Sequence, residues 1–169
     1  MRKGVFAGSF DPITLGHIDV IRKALEVFDE VYVLCAVNPD KKYMFSPEEK
    51  VAMVRAAIRD AGFPENRVFA DFWDGYTYEY CLRVGSSHII KGIRSSADLE
   101  YENVLADETE KLCPDIKTVM TPADEKYKDL SSSAVREAIQ KGEKLDSMLS
   151  PGVRQIIEEK LNDCMKTAD

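Results

Sequence analysis

Apolar residues along this chain fall into short unbroken runs that alternate with longer segments of helical period. Lys3-Gly4-Val5-Phe6-Ala7 reads as a first buried strand. Val31 to Val37 is a seven-residue apolar run bounded by Asp29-Glu30 and Asn38-Pro39-Asp40, the mark of a strand buried on both faces. Val68-Phe69-Ala70, His88 to Ile93 and Ile116 to Met120 give three further strands. Helical spacing predicts an amphipathic helix over Ile18 to Leu25 and another from about Ala97 to Leu112. Ser46-Pro47-Glu48-Glu49 places a serine cap, a proline and a reciprocal glutamate at the start of a helix that stops near Gly62-Phe63-Pro64. Thr77 to Val84 is a helix closed by Gly85. Ser131-Ser132-Ser133 caps a helix through Ile139, and Ser150-Pro151 starts a last one through Leu161.

Five strands alternating with helices predict an α/β protein: a five-stranded parallel sheet with helices on both faces. No repeat, low-complexity tract or linker divides residues 1–169, so a single domain is expected. Ligands of such sheets bind beyond the strand C-termini, where the strand order reverses. That directs attention to residues 8–17, 38–46, 71–76, 91–95 and 121–132.

Composition changes this picture little. The 169 residues are 44% hydrophobic and 31% charged, as in soluble globular proteins. No apolar run approaches the roughly 20 residues of a membrane span, and Met1-Arg2-Lys3-Gly4 opens no leader-like apolar core, so a cytoplasmic protein without a membrane partner is expected. The net charge of −7 argues against gripping a nucleic-acid backbone, while local cations can still hold a small anion. Cys35, Cys81, Cys113 and Cys164 lie far apart and read as structural thiols rather than a disulfide framework or zinc site.

Candidate chemistry gathers at the strand ends. Gly8 to His17 joins the first strand to the first helix through glycine, a hydroxyl, a turn proline and a Gly-His pair, a way to bring backbone N–H groups and an imidazole to a phosphate. At a helix start and in a buried setting, His17 is expected as a neutral donor until charge builds on that phosphate. Ser9 can donate to phosphate oxygens. Asp11-Pro12 reads as a rigid turn with a local carboxylate hydrogen bond, and His88 as structural. Lys41-Lys42, Lys91-Gly92-Ile93-Arg94 and the serine run supply cations and N–H groups at the same sheet edge. No serine or cysteine stands in an elbow with a partner histidine, which points to phosphoryl or nucleotidyl transfer by positioning and charge stabilisation.

Gly8-Ser9-Phe10-Asp11-Pro12-Ile13-Thr14-Leu15-Gly16-His17 resembles the G-[ST]-F-D-P-x-[TH]-x-G-H signature of the nucleotidyltransferase superfamily. Thr14, with Lys41-Lys42, Met44-Phe45, Glu48-Glu49-Lys50, Gly75-Tyr76-Thr77, Lys91 to Arg94, Asp98 to Glu102 and the three serines, is similar to its phosphopantetheine adenylyltransferase family. The resemblance implies a Rossmann-like fold and transfer of AMP from ATP to 4′-phosphopantetheine, giving dephospho-coenzyme A and pyrophosphate. It implies that His17 is catalytic and that Ser9, Lys41, Thr77 and Lys91 contact phosphopantetheine. ATP would meet Ser9, Phe10, His17, Gly92, Ile93, Arg94, Glu102 and the segment Tyr127, Lys128, Asp129, Leu130, Ser131, Ser132 and Ser133. It also implies Mg2+ carried by the ATP phosphates, and a homohexamer.

The chain departs from the family at two points. Lys91 stands where arginine is usual and lacks the bidentate fork. Asp129 puts an acid beside the serine run, where it must face away or help hold magnesium. Phe72-Trp73 reads as core or subunit contact. Nicotinamide-nucleotide adenylyltransferases and glycerol-phosphate-type cytidylyltransferases normally carry histidine where Thr14 stands. A non-catalytic nucleotide-binding module is the alternative from another class.

Overall fold

The structure, a computed structural model, describes residues 1–166, with side chains through Asp163. Among them the elements run β1 (Lys3–Gly8), α1 (Leu15–Val27), β2 (Glu30–Ala36), α2 (Pro47–Asp60), β3 (Val68–Trp73), α3 (Thr77–Val84), β4 (His88–Ile93), α4 (Ser96–Leu112), β5 (Lys117–Pro122), α5 (Ser132–Lys141) and α6 (Pro151–Lys166). The strands form one parallel sheet in the order β3-β2-β1-β4-β5, so the order reverses at β1.

That reversal shapes the site. β1 pairs with β2 along its whole length, from Lys3↔Glu30 to Gly8↔Cys35. Towards β4 it pairs only at Val5↔Ile89 and Phe6↔Ile90. Ala7 and Gly8 on one side, and Lys91 to Ile93 on the other, continue without pairing each other. The sheet therefore opens a crevice at the C-terminal ends of its two central strands, where doubly wound folds bind ligands.

The alternation of the central strands divides the core. Phe6, Val31, Val33 and Ile90 pack on one face with Ile21 of α1, Met53 of α2, Val135 of α5 and Ile157 of α6. Val5, Ala7, Leu34 and Ile89 face the other way, against Tyr80 and Cys81 of α3. Each such fully buried aliphatic side chain contributes about 1.5–3 kcal/mol. Cys35 and Cys81 are buried thiols held neutral by burial, which pushes each up to about 12. Cys113 is a half-buried free thiol, and the side chain of Cys164 lies outside the described residues.

Local signals explain most boundaries. At α2, Ser46 Oγ accepts from Glu49 N (3.2 Å) while Glu49 Oε2 accepts from Ser46 N (2.8 Å), with Pro47 in the first helical position. Gly85 ends α3 in the left-handed region, at φ 70°.

Several boundaries move from the sequence expectation, among them the ends of α5 and α6, which run on to Lys141 and Lys166. β3 runs on through Phe72 and Trp73, which pair with Cys35 and Ala36, so only 74–76 form the connection. β5 spans Lys117 to Pro122 rather than Ile116 to Met120; its edge position tolerates the proline. α1 starts at Leu15 because Thr14 caps it, and a short turn of 3-10 helix at Glu125–Tyr127 was not expected.

Candidate active site

A cavity of about 530 Å³ occupies the crevice. Its floor is the β1–α1 loop and the first turn of α1. One wall carries Lys41, Lys42 and Tyr43, another the end of β4 with one side of α4, and a third the segment leading into α5.

His17 is the third residue of α1 and completes its cap. Thr14 N donates to His17 Nδ1 at 2.9 Å, and the Thr14 hydroxyl lies 3.1 Å from the same nitrogen. A backbone N–H can only donate, so Nδ1 is the unprotonated nitrogen and the ring's one proton sits on Nε2. The rings of Phe10 and Phe6 crowd the imidazole, with centroids at 5.0 and 6.1 Å. Burial, and secondarily the Arg94 guanidinium, lower its pKa to about 4. His17 is a neutral, pre-aligned donor, as its position in the sequence predicts.

Phe10 adopts φ 43°, an unusual left-handed conformation for an aromatic residue, and its ring is buried against Phe6. The backbone bend therefore turns the side chain into the core, and Phe10 contributes to the cavity lining beside His17.

Asp11 corrects the sequence reading. Its carboxylate makes no local turn bond; it accepts from Met44 N (2.9 Å) and Phe45 N (3.0 Å), far along the chain. Arg136 approaches it at 3.7 Å, donates to the Asp11 carbonyl at 2.8 Å and reaches Ser133 Oγ at 3.1 Å. This buried carboxylate ties the first loop to the lysine-bearing loop and to α5. Charge-assisted bonds of this kind contribute about 1.5–3 kcal/mol each.

The serine run is also stitched into the fold. Ser131 Oγ accepts from Ala134 N (3.1 Å) as an N-cap, and Ser132 Oγ donates to the Pro12 carbonyl (2.8 Å). What this run presents to an anion is the N-terminus of α5, whose first N–H groups have no intrahelical partner.

On the β4 side, Lys91 Nζ stands 3.4 Å from Glu102 Oε2. Arg94 donates to the Leu130 carbonyl (3.1 Å) and lies 3.4 Å from Asp98, which holds its guanidinium across the gap between α4 and the α5 lead-in. Gly92 lies close to α1: a Cβ there would stand 3.0 Å from Val20 Cγ2, so Val20 would have to give by a few tenths of an ångström.

The cavity thus brings together Ser9, Phe10, His17, Lys41, Lys91, Gly92, Arg94, Glu102, Tyr127, Leu130 and Ser131 to Ser133. Thr77, Ile93, Lys128 and Asp129 lie outside its lining. Thr77 opens α3, Lys128 pairs with Glu125 at 2.6 Å, and Asp129 is exposed to solvent, away from the cavity wall. Sequence reasoning missed Tyr43, Tyr101 and Arg136; for Arg136 the available signal was its place one helical turn after Ser133. Trp73 packs edge-on to Tyr80 (5.8 Å) under Arg83, outside the cavity, and His88 rests on Phe28 at the opposite sheet edge.

A family model described as cytidylyltransferase-like matches residues 5–138. The phosphopantetheine adenylyltransferase of Coprothermobacter proteolyticus is 37% identical, over 95% of this chain and 98% of its own. That of Caldanaerobacter subterraneus subsp. tengcongensis is also 37% identical, over 98% and 99%. The chain belongs to the phosphopantetheine adenylyltransferase family. The corresponding protein of Clavibacter michiganensis is 43% identical over 80% of this chain. A putative nicotinate-nucleotide adenylyltransferase from Vibrio parahaemolyticus superposes with a TM-score of 0.73 over 94% of this chain and 93% of its own. At 20% identity it shares the fold alone. Membership of the family fits the arrangement of the crevice: cations on both walls, a helix N-terminus, and a neutral imidazole between them.

Proposed function

We propose that this protein transfers AMP from ATP to 4′-phosphopantetheine, releasing pyrophosphate. A phosphate oxygen of the acceptor attacks the α-phosphorus of ATP in line; the new P–O bond forms as the bond to pyrophosphate breaks, with no enzyme-bound intermediate. Negative charge grows on the α-phosphoryl oxygens in the transition state. His17 Nε2–H donates to that charge, and because the ring is held by Thr14 it needs no reorganisation at the moment of reaction.

The observation that carries this reading is His17 itself: a neutral imidazole with one nitrogen locked by its own helix cap and the other left for the cavity. Lys41, Lys91 and Ser9 are assigned to the acceptor, and Arg94, Gly92, Glu102, Phe10, Tyr127, Leu130 and Ser131 to Ser133 to ATP. Contacts from Thr77 and Ile93 require substrate to extend beyond the cavity, and Lys128 and Asp129 are left with no assigned role. Of the cavity carboxylates, Asp11 accepts from N–H groups and faces Arg136, while Glu102 stands 3.4 Å from Lys91 with no hydrogen bond to its Oε2. No group of three or more metal-ligating side chains stands together among the described residues, so magnesium would arrive carried by the nucleotide and would supply neutralisation of its triphosphate charge.

A homohexamer in the cytoplasm completes the proposal. In support, α4 buries none of its residues and exposes Tyr101, Val104 and Leu112 along one side, a face suited to another copy. No helix among the described residues is long and apolar enough to cross a membrane. Sedimentation of the purified protein tests the assembly. Pyrophosphate release from ATP with phosphopantetheine, against nicotinamide mononucleotide, and from CTP with glycerol phosphate, tests the reaction. Release only with phosphopantetheine is expected; ATP binding without release in any mixture would leave a binding module.

A further inference from the structure

Lys50 is fully buried, and its Nζ has no hydrogen-bond partner among the described residues. It sits in the first turn of α2, 3.7 Å from the centroid of the Tyr43 ring. The charged or titratable groups facing it are Asp11 from the β1–α1 loop and Cys35 from β2, together with the Tyr43 ring. Cys35 stays a neutral thiol, so Asp11 is the compensating charge. Burial pulls the Lys50 pKa below the usual lysine range while Asp11 opposes it.

A buried amine without a hydrogen bond costs stability. An apolar side chain of the same length would remove that cost. What the ammonium supplies is contact with the ring above it. Tyr43 lines the cavity beside Lys41 and Lys42. Its hydroxyl accepts from Asn38 N (3.0 Å), at the other end of the same loop. Asn38 in turn holds Asp40 N (2.9 Å) through its side chain and Lys41 N (3.1 Å) through its carbonyl. The path from Lys50 to the backbone of Lys41 is therefore continuous: ammonium, aromatic face, phenol oxygen, Asn38, Lys41. On its other flank the loop is held by Asp11, through Met44 N and Phe45 N.

We infer that Lys50 and Tyr43 act as a positioning pair that holds the Asn38–Tyr43 loop over the cavity, so that Lys41 meets the phosphate of the acceptor. The inference rests on the proposed acceptor site and adds residues outside its contact set. The pair acts chiefly on the acceptor side: Arg94 is held by Leu130 and Asp98, and α5 meets the pair only through Asp11, which also faces Arg136.

The test is a double-mutant cycle with Lys50→Met and Tyr43→Leu, read by steady-state pyrophosphate release and by amide hydrogen exchange. Each single variant is expected to raise the phosphopantetheine KM roughly tenfold, the scale of one desolvated cation–π contact, and to leave the ATP KM within about twofold. The double variant is expected to add little beyond either single one. Lys50→Met removes a buried amine that has no hydrogen bond, but also a charge facing Asp11, so its melting temperature serves to show that the fold is kept, while the amides of Asp40 and Lys41 should exchange faster. Equal rises in both KM values, fully additive effects, or unchanged acceptor KM and unchanged exchange would each overturn the pair. If the parent protein releases no pyrophosphate with phosphopantetheine, the functional reading fails, and the exchange measurement alone decides whether Lys50 and Tyr43 hold the loop.

Discussion

Acidifying the free protein should cost stability through His17, and the size of the loss follows from its surroundings. In the unfolded chain the imidazole titrates near 6.5; in the folded protein burial first, and the Arg94 charge second, lower this to about 4. Between those values the unfolded chain binds more protons than the folded one, so stability rises with pH through the interval. The contribution is complete above pH 6.5 and is lost as pH falls towards 4. The full difference amounts to about 3 kcal/mol, and the part lost between pH 7 and pH 5 to about 2 kcal/mol. Urea unfolding at the two pH values measures it. The comparison is with His17→Gln, which keeps an acceptor for Thr14 N but has no proton to gain. The parent should lose about 2 kcal/mol more than the variant over this range. With only two histidines in the chain, nitrogen-15 imidazole spectra resolve His17 from His88 and report the Nε2–H tautomer directly. A folded-state titration near 6.5, an Nδ1–H tautomer, or equal losses in parent and variant would refute the neutral, locked donor.

Three further outcomes follow from the same geometry. His17→Ala should lower kcat by roughly 10²–10³ while ATP affinity changes less than about twofold, because the charge it meets exists only in the transition state; a matching loss of affinity in titration calorimetry would make His17 a ground-state contact. Arg94→Ala should weaken ATP binding by about tenfold or more by the same measurement, since its guanidinium is held at the cavity by Leu130 and Asp98; unchanged affinity would remove it from the ATP side. Asp11→Asn keeps the shape but turns an NH2 towards an N–H donor, and should lower stability by about 2 kcal/mol in chemical denaturation; a neutral result would mean that the two loops are joined by packing rather than by this carboxylate.

What could be read from the sequence, and what could not, follows the range of the interaction concerned. Strands, most helix starts and the cationic strand ends were legible because each is encoded within a few residues. The α2 start needs only Ser46, Pro47 and Glu49, and the β4 end only Lys91 to Arg94. The extension of β3 was hidden because Asp71 lies in its middle. The fold accommodates that acid by a hydrogen bond from the Tyr80 hydroxyl (3.0 Å), a partner that appears only once α3 has packed. Asp11 was misread for the same reason: the N–H groups that donate to its carboxylate lie more than thirty residues away, at Met44 and Phe45. His17 was legible as chemistry but not as geometry, since its tautomer depends on whether Thr14 or His17 itself starts the helix. Starting α1 at Leu15 is what points Thr14 N at Nδ1; a helix begun at His17 would leave both ring nitrogens uncommitted. The catalytic assignment therefore depends on a helix boundary, because that boundary decides which nitrogen of His17 carries the proton.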